Sequence, residues 1–224
     1  ERIEVNVAAA ILVYWRDGKP FYGTRVVPGA TRTQTPSLEA PFSSVMANPP
    51  WNVPGGIAAK EIIPKGAGYM AARGMYMTNG RVVQRPGPNS ALGLVKFEID
   101  NPYAIYLHDT PSKRFFANTN RHLSHGCIRV QDAVAFARMV LGFNPESLAQ
   151  FDSLQATGET RRVQLGRSIP VRLLYWTAFL DGDGRISFRK DVYGRDDKLA
   201  KALGLGSMDQ LIEAKGPAAG DVGP

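Results

Sequence analysis

The feature that most constrains the fold of this chain is a series of short apolar segments separated by turn sequences. Residues 3–7 alternate between apolar and polar side chains, and residues 11–15 are followed by Arg16-Asp17-Gly18-Lys19, which is typical of a hairpin turn. Asn79-Gly80 lies between two further strand-like segments, and both residues tolerate the positive φ of a two-residue turn. The pattern therefore predicts a mainly β fold with a few peripheral helices.

The spacing of apolar and turn residues also predicts helices and strands along most of the chain. We expect helices where apolar residues recur with helical spacing, one of them between Asp132 and Gly142. Residues after Leu205 are rich in Gly, Pro and Ala, which predicts a flexible tail over 205–224. The other predicted helices cover 57–63, ended by Pro64, and a short segment after Pro145; the predicted strands cover 3–7, 11–15, 21–27, 42–46, 75–78, 81–83, 92–99, 104–107, 162–165, 171–180 and 186–188.

Composition excludes several classes of protein. No run of eighteen apolar residues is available to cross a bilayer, and no signal peptide is visible at the start of the chain. The net charge of +7 comes from scattered Lys and Arg without interleaved aromatic residues, so we expect no nucleic-acid partner. A chain of 224 residues buries about 70% of its unfolded surface and needs no disulfide. The single cysteine, Cys127, is therefore free for chemistry.

All three histidines lie within the eighteen residues that lead up to this cysteine. A thiol attacks as the thiolate, which a neighbouring imidazole, a cation or a helix N-terminus favours. Arg129 would supply the cation, and the helix expected after Asp132 would supply the N-terminus. We predict Cys127 as the nucleophile and His108 as its base. For His125 we favour a loop-orienting hydrogen bond over direct catalysis, and we expect His122 at the surface.

The residues beside the predicted nucleophile suggest supporting roles. Gly126 allows a tight turn, so its amide and that of Cys127 are predicted to form an oxyanion hole. Ser124 either braces the turn or helps to orient His108. Period-two alternation in a strand over 104–107 would place Tyr106 on the same face as His108. Two groups could orient the His108 imidazole: the Asp109 side chain or a backbone carbonyl.

Two metal hypotheses compete with this interpretation. A zinc site would use His108, His122, His125 and Cys127, but their spacing does not pair the ligands in two short motifs. Asp181 and Asp183 resemble a calcium loop only in part, because the further ligands and the final glutamate are missing. We favour a hairpin turn there, and we predict no metal and no cofactor.

The chain resembles the L,D-transpeptidases of the YkuD type in residues His108 and Ser124-His125-Gly126-Cys127-Ile128-Arg129-Val130, with fifteen residues between His108 and Ser124. The likeness spans roughly residues 1 to 200. The segments that further resemble the YcbB-like branch of this family are Trp51-Asn52-Val53-Pro54, Ile62-Ile63-Pro64-Lys65, Pro86-Gly87-Pro88-Asn89, Ala91-Leu92-Gly93 and Tyr106-Leu107-His108-Asp109-Thr110-Pro111.

The resemblance implies a mainly β (α+β) sandwich-type catalytic fold over residues 1–204, with a small substrate-capping insertion at 56–87. It implies that Cys127 forms an acyl-enzyme with one peptidoglycan stem peptide and passes it to an amine of another, giving a 3→3 cross-link. Arg129 would support the site, and Tyr106 would shape the substrate groove. Trp51 has two possible roles, core packing or substrate contact.

The resemblance further implies donor and acceptor stem peptides as partners, a role in cell wall and cell shape, and a periplasmic or otherwise extracytoplasmic location. Carbapenems would be inhibitors. Water or a protein lysine as acceptor would instead give an L,D-carboxypeptidase, an amide hydrolase or an enzyme that anchors proteins to the wall. A non-catalytic wall-binding module is the remaining alternative.

Overall fold

The computed structural model describes residues 1–182 and 184–206. Eight of the described strands form one closed barrel, in the order β1-β11-β4-β8-β9-β10-β3-β2. The strands are β1 (Arg2–Asn6), β2 (Ile11–Arg16), β3 (Lys19–Val27), β4 (Leu38–Ala47), β5 (Trp51–Asn52), β6 (Met75–Thr78), β7 (Arg81–Gln84), β8 (Val95–Ile99), β9 (Leu107–His108), β10 (Ile128–Val130), β11 (Arg161–Leu174), β12 (Ala178–Leu180) and β13 (Ile186–Phe188).

The expected mainly β catalytic fold is confirmed, and continuous strand pairing closes its sheet. The pair formed by β9 and β10 is parallel and sets Leu107 opposite Ile128 and His108 opposite Arg129. Cys127 immediately precedes β10. Two segments that are twenty-one residues apart at these paired positions are thereby brought side by side, since residues paired across neighbouring strands lie about 5 Å apart.

Helix packing completes the core. The α-helices are α1 (Gly55–Ile57), α2 (Gly66–Ala72), α3 (Ala133–Leu141), α4 (Pro145–Thr157) and α5 (Asp196–Ala202). Phe136 of α3 is fully buried, stacks on Tyr22 with ring centroids 5.5 Å apart and lies 5.2 Å from the Phe97 ring. Burial of one such ring contributes about 2–3 kcal/mol, so α3 is held firmly against the barrel.

A smaller unit lies outside the barrel between β4 and β8. Its three-stranded sheet has the order β5-β7-β6, and its helical turns run from α1 through Ala58–Ile62 (π) and Ile63–Lys65 (3₁₀) to α2. It has its own apolar cluster, formed by Val53, Ala58, Ile62, Met75 and Val82. The predicted helix over 57–63 is therefore only part of the helical segment, because Pro64 begins a new turn at a position that needs no amide hydrogen.

Several other sequence assignments need correction. The strand expected over 104–107 is reduced to Leu107–His108, because Ala104 adopts a φ of 53° that ends extended structure. The strands expected at 162–165 and 171–180 are one long strand, β11, with an irregularity after Gln164, followed by the separate β12. Helices α2 and α5 were not predicted, and α4 is a full thirteen-residue helix.

The hairpins expected from turn sequences are present. β2 pairs with β3, β6 pairs with β7, and β12 pairs with β13. Asp181 accepts hydrogen bonds from Gly184 and Arg185 in the last of these turns, as the hairpin interpretation requires. Asp183 and most of the predicted tail, residues 207–224, lie outside the described residues. No helix among the described residues has the length and apolarity to cross a membrane.

Candidate active site

The loop that carries Cys127 is a tight turn held together by Ser124. The hydroxyl of Ser124 donates to the carbonyl oxygen of Cys127 and accepts from the amide of Gly126 at 3.1 Å. Gly126 has a φ of 116°, which favours glycine. Of the two roles left open for Ser124, the structure shows the bracing of the turn.

A second layer of hydroxyl groups fixes this loop to residues 28–35. Thr33 donates to the carbonyl of Ser124 at 2.8 Å, and Thr35 donates to the carbonyl of Gly126 at 2.7 Å. Tyr193 anchors the other side of the segment by donating to the carbonyl of Gly29 at 2.6 Å. Sequence reasoning missed these residues, because a threonine in a Pro- and Gly-rich stretch carries no signal for so distant a partner.

The predicted oxyanion hole needs a correction. The Gly126 amide is already engaged by the Ser124 hydroxyl, so it does not point freely at a substrate carbonyl. Of the expected pair of donors, the Cys127 amide is the one left for this role. Gly126 is thus required mainly for the shape of the turn.

His108 is a buried imidazole with a defined orientation. Its Nδ1–H donates to the backbone carbonyl of Asp109 at 2.5 Å, which leaves Nε2 as the acceptor nitrogen. The Asp109 carboxylate is used elsewhere, since it accepts from the Leu94 amide at 3.0 Å and pairs with Lys113. The orienting group is therefore the backbone carbonyl, one of the two options left open by the sequence.

The electrostatics of Cys127 and His108 favour a neutral pair. Burial lowers the pKa of His108 to about 4 and raises the pKa of the Cys127 thiol, although hydrogen bonds with Tyr106 and the charge of Lys96 partly oppose the latter. The expected lowering of the thiol pKa is therefore wrong for the free protein. Helix α3 does not supply it, because strand β10 separates Cys127 from the first turn of α3, and a helix terminus acts only within about one turn.

The shifted pKa of His108 predicts an acid-sensitive fold. Its folded pKa of about 4 lies below the ordinary 6.5, so between these pH values the unfolded chain binds more protons. The contribution of neutral His108 to the free energy of unfolding is fully present above pH 6.5. It decreases as the pH falls, by about 3 kcal/mol at pH 4. Urea unfolding of the wild type and His108→Gln at pH 7 and pH 4.5 measures it.

The glutamine variant should lose less stability on acidification than the wild type. A residual acid sensitivity is expected in both proteins, because burial also lowers the pKa of His122. Equal losses in the two proteins would contradict the assignment to His108.

Tyr106 joins the thiol to the wall of the site. Its hydroxyl pKa responds to the side chains of Cys127 and Trp51, which line the same cavity, and its ring meets that of His108 edge-on with centroids 5.6 Å apart. Burial raises the pKa of Tyr106, so the phenol remains protonated and available as a donor. Trp51 thus lines the cavity together with Tyr106 and also packs against the small apolar cluster.

Cys127, His108 and Arg129 line one cavity of about 300 Å³. Its opposite wall belongs to the small unit outside the barrel, whose contributing residues from the expected insertion 56–87 are Ile57, Glu61, Ile62, Tyr69, Arg73, Met75 and Gln84. Tyr106, Trp51, Ser124 and His125 also line it. The structure therefore brings all the predicted site residues to this cavity except Gly126, which supports it from the turn.

His125 connects the cysteine loop to the helical segment on the far wall. Its Nε2 lies 2.8 Å from Oε1 of Glu61, so the hydrogen bond expected of it reaches across the cavity. Arg129, half-buried beside His108, pairs with no carboxylate of residues 1–182 and 184–206 and packs over the Phe115 ring at 5.7 Å. The cavity therefore carries an unneutralised cation close to Cys127.

His122 does not belong to this site, and its expected surface position is wrong. The side chain is buried, with Nε2 at 2.8 Å from the carbonyl oxygen of Val7 and Nδ1 at 3.1 Å from Asn120 Oδ1. Both ring nitrogens are thus engaged away from Cys127. No three His, Cys, Asp or Glu side chains in the described part of the chain are grouped to hold a metal ion, which argues against the zinc alternative.

Comparison with known proteins agrees with the sequence resemblance. Residues 1–171 match the YkuD family, described as the L,D-transpeptidase catalytic domain. A Haemophilus influenzae protein whose name places it among the L,D-transpeptidases is 31% identical, over 88% of this chain. The chain covers 45% of that relative, so it spans less than half of its length.

Solved structures of L,D-transpeptidases are more distant. An L,D-transpeptidase in complex with imipenem is 13% identical, with a TM-score of 0.38. The match covers 77% of this chain and 57% of the solved chain. The L,D-transpeptidase of Mycobacterium smegmatis has the same identity and TM-score, with coverages of 76% and 57%. On the strength of the family match over most of its length, the chain belongs to the L,D-transpeptidase catalytic domain family.

Proposed function

We propose that this chain is a cysteine acyltransferase domain that forms 3→3 cross-links between peptidoglycan stem peptides. The observation that carries the proposal is one cavity of about 300 Å³ that is lined both by Cys127 and by His108, whose Nδ1 is held by the Asp109 carbonyl so that Nε2 is the acceptor nitrogen. Membership of the L,D-transpeptidase family supports it. The proposal places the domain outside the cytoplasm, where the stem peptides lie, with residues 1–204 as the catalytic unit.

The first half-reaction uses the neutral pair directly. Nε2 of His108 removes the thiol proton as Sγ of Cys127 attacks the carbonyl carbon of the donor stem, and the Cys127 amide donates to the developing oxyanion. The tetrahedral intermediate collapses with cleavage of the carbon–nitrogen bond. The terminal D-alanine leaves with the proton that His108 carries, and a thioester on Cys127 remains.

The charge of the cavity suits a donor that carries carboxylates. Arg129 lies beside the nucleophile, and Arg73 lines the opposite wall. An arginine binds a carboxylate through two parallel hydrogen bonds, which fixes the orientation of the ligand as well as its position. In this proposal Arg129 holds the donor near the thiol, Tyr106 positions the sulfur, and Trp51 supports Tyr106.

The wall formed by residues 56–87 acts as the cap of the site in this proposal. The Glu61–His125 pair ties the cap to the cysteine loop and narrows the entrance. A covered thioester meets less water, which favours transfer to an amine over hydrolysis. We therefore place the stem amine ahead of water and of a protein lysine as the acceptor.

Incubation with a purified stem tetrapeptide that ends in D-alanine tests the function. We expect a cross-linked dimer and released D-alanine by mass spectrometry, with neither product from the matched variant Cys127→Ala. A trimmed tripeptide alone would instead indicate a carboxypeptidase, and an adduct only with added protein would indicate anchoring. Products that persist in Cys127→Ala would reject the cysteine mechanism.

A further inference from the structure

The carbonyl that orients His108 lies at the point where strand β9 ends. β9 pairs with β8 at Leu107 and His108, and one further bond, from the Asp109 amide to the Val95 carbonyl at 2.9 Å, extends the ladder. The Asp109 carbonyl is turned to Nδ1 of His108. Regular strand pairing therefore ends at the residue whose carbonyl fixes the imidazole.

The Asp109 side chain supplies a constraint where the strand no longer does. Its carboxylate is buried, and both oxygens are engaged: Oδ2 accepts from the Leu94 amide at 3.0 Å, and Oδ1 pairs with Lys113. The bond to Leu94 is the stronger constraint, because a buried carboxylate binds an amide through a charge-assisted hydrogen bond. The Lys113 side chain is 55% exposed, and exposed ion pairs contribute little to stability.

Gly93 makes room for this carboxylate. The residue is buried and has a φ of 58°, and a Cβ built on it would overlap Oδ2, Cγ and Cβ of Asp109. Glycine is therefore required here both for its positive φ and for the close approach of the Asp109 side chain. The segments around Gly93 and His108 are thus fitted to each other through Asp109.

We propose that Asp109 is a positioning residue whose carboxylate, seated over Gly93 and bound to the Leu94 amide, holds the peptide unit that orients His108. Asp109 does not line the catalytic cavity, so it acts through His108 rather than on the substrate. Both its amide and its carboxylate are fixed to residues 94–95, which gives its carbonyl one direction. This inference rests on the proposed function and adds the residues that keep its general base in place.

The consequence for the reaction follows from the two nitrogens of the ring. A neutral imidazole whose Nδ1–H loses a fixed acceptor exchanges between two tautomers, and only one of them leaves Nε2 free to accept a proton. A ring that rotates also misplaces Nε2, and a displacement of about 1 Å can cost about a hundredfold in rate. Loss of the Asp109 carboxylate should therefore affect both the tautomer of His108 and the rate of acylation.

Three variants test the proposal against one matched control. Asp109→Ala removes the carboxylate, and Gly93→Ala places a methyl group where the carboxylate lies. Asp109→Asn keeps an oxygen for the Leu94 amide and removes only the charge. Gly18→Ala, in the β2–β3 turn, is the control for Gly93→Ala, because Gly18 also has a positive φ, 74°, but nothing lies within 4 Å of a Cβ built on it.

The experiment measures the tautomer of His108 and the rate separately. Nitrogen NMR of protein labelled at histidine reports the tautomer, and His108→Gln assigns the signals. We expect one tautomer, protonated at Nδ1, in the wild type, Asp109→Asn and Gly18→Ala, and averaged signals in Asp109→Ala and Gly93→Ala. Release of D-alanine from a tetrapeptide stem should slow about ten- to a hundredfold in the last two, and Asp109→Asn should recover most of this loss. Thermal unfolding shows whether each variant is folded.

A single Nδ1-protonated tautomer in Asp109→Ala, or a wild-type rate there, would overturn the proposal. So would a Gly93→Ala protein that behaves as Gly18→Ala does, and this comparison decides the matter if Asp109→Ala does not fold. Equal losses in Asp109→Asn and Asp109→Ala would assign the effect to the charge and contradict the role of the Leu94 bond. Absence of D-alanine release in the wild type would reject the proposed function, whereas the histidine signals would still test the positioning of His108.

Discussion

Replacement of Cys127 by alanine is expected to abolish acylation by a carbapenem. The wild type should gain the mass of one intact inhibitor molecule, because attack of Sγ opens the β-lactam ring without loss of atoms. Cys127 is the single cysteine of the chain, so no other thiol competes. Intact-protein mass spectrometry after incubation with a carbapenem such as imipenem measures the adduct.

The alanine variant should remain folded. Cys127 is only partly buried against the core, and the bonds that brace its turn come from Ser124 and Gly126. Thermal unfolding monitored by circular dichroism provides the control for structure. An unmodified wild type, or an equal adduct on Cys127→Ala, would count against Cys127 as the nucleophile.

The parts of the fold that the sequence predicted depend on local chemistry. Asn79-Gly80 specifies its own turn, and the hairpin of β6 and β7 forms around it as expected. Helix α3 likewise occupies the segment between Asp132 and Gly142, where the helical spacing of neighbouring apolar residues predicted it, although the Asp132 side chain makes no capping hydrogen bond. In each case the residues that decide the structure are neighbours in the chain.

The parts that the sequence did not predict depend on distant partners. His122 is polar and lies in a loop, which suggests exposure, but Val7 and Tyr193 bury its ring from remote parts of the chain. Thr33 and Thr35 support the cysteine turn across 91 residues. The closure of the barrel likewise depends on the parallel pairing of β1 with β11, whose partners are about 168 residues apart.

The candidate site shows the same division. The sequence alone identified Cys127 and His108 as a candidate pair, from their residue types and their spacing. Sequence could not show that burial favours a neutral pair, because a pKa depends on desolvation by the folded protein. Nor could it show that the Gly126 amide is already engaged by Ser124. The mechanism that we propose therefore differs from the one expected from the sequence: proton removal as the thiol attacks replaces attack by a resident thiolate.

Replacement of His108 by glutamine is expected to slow acylation about a hundredfold or more, the usual loss when a general base is removed. Glutamine preserves a donor for the Asp109 carbonyl but has no basic nitrogen. His122→Gln is the matched control, because that buried histidine lies outside the cavity, and it should acylate at the wild-type rate.

The pH dependence of acylation distinguishes proton removal from a merely structural effect of His108. With a neutral resting pair, the wild-type rate should fall only as the pH approaches about 4, where His108 becomes protonated. The apparent pKa values of the profile belong to the Cys127–His108 pair rather than to either residue. In His108→Gln the acidic limb should disappear, and the residual rate should rise with pH as the thiol ionises. A slow variant that retains the wild-type acidic limb would mean that His108 only shapes the site.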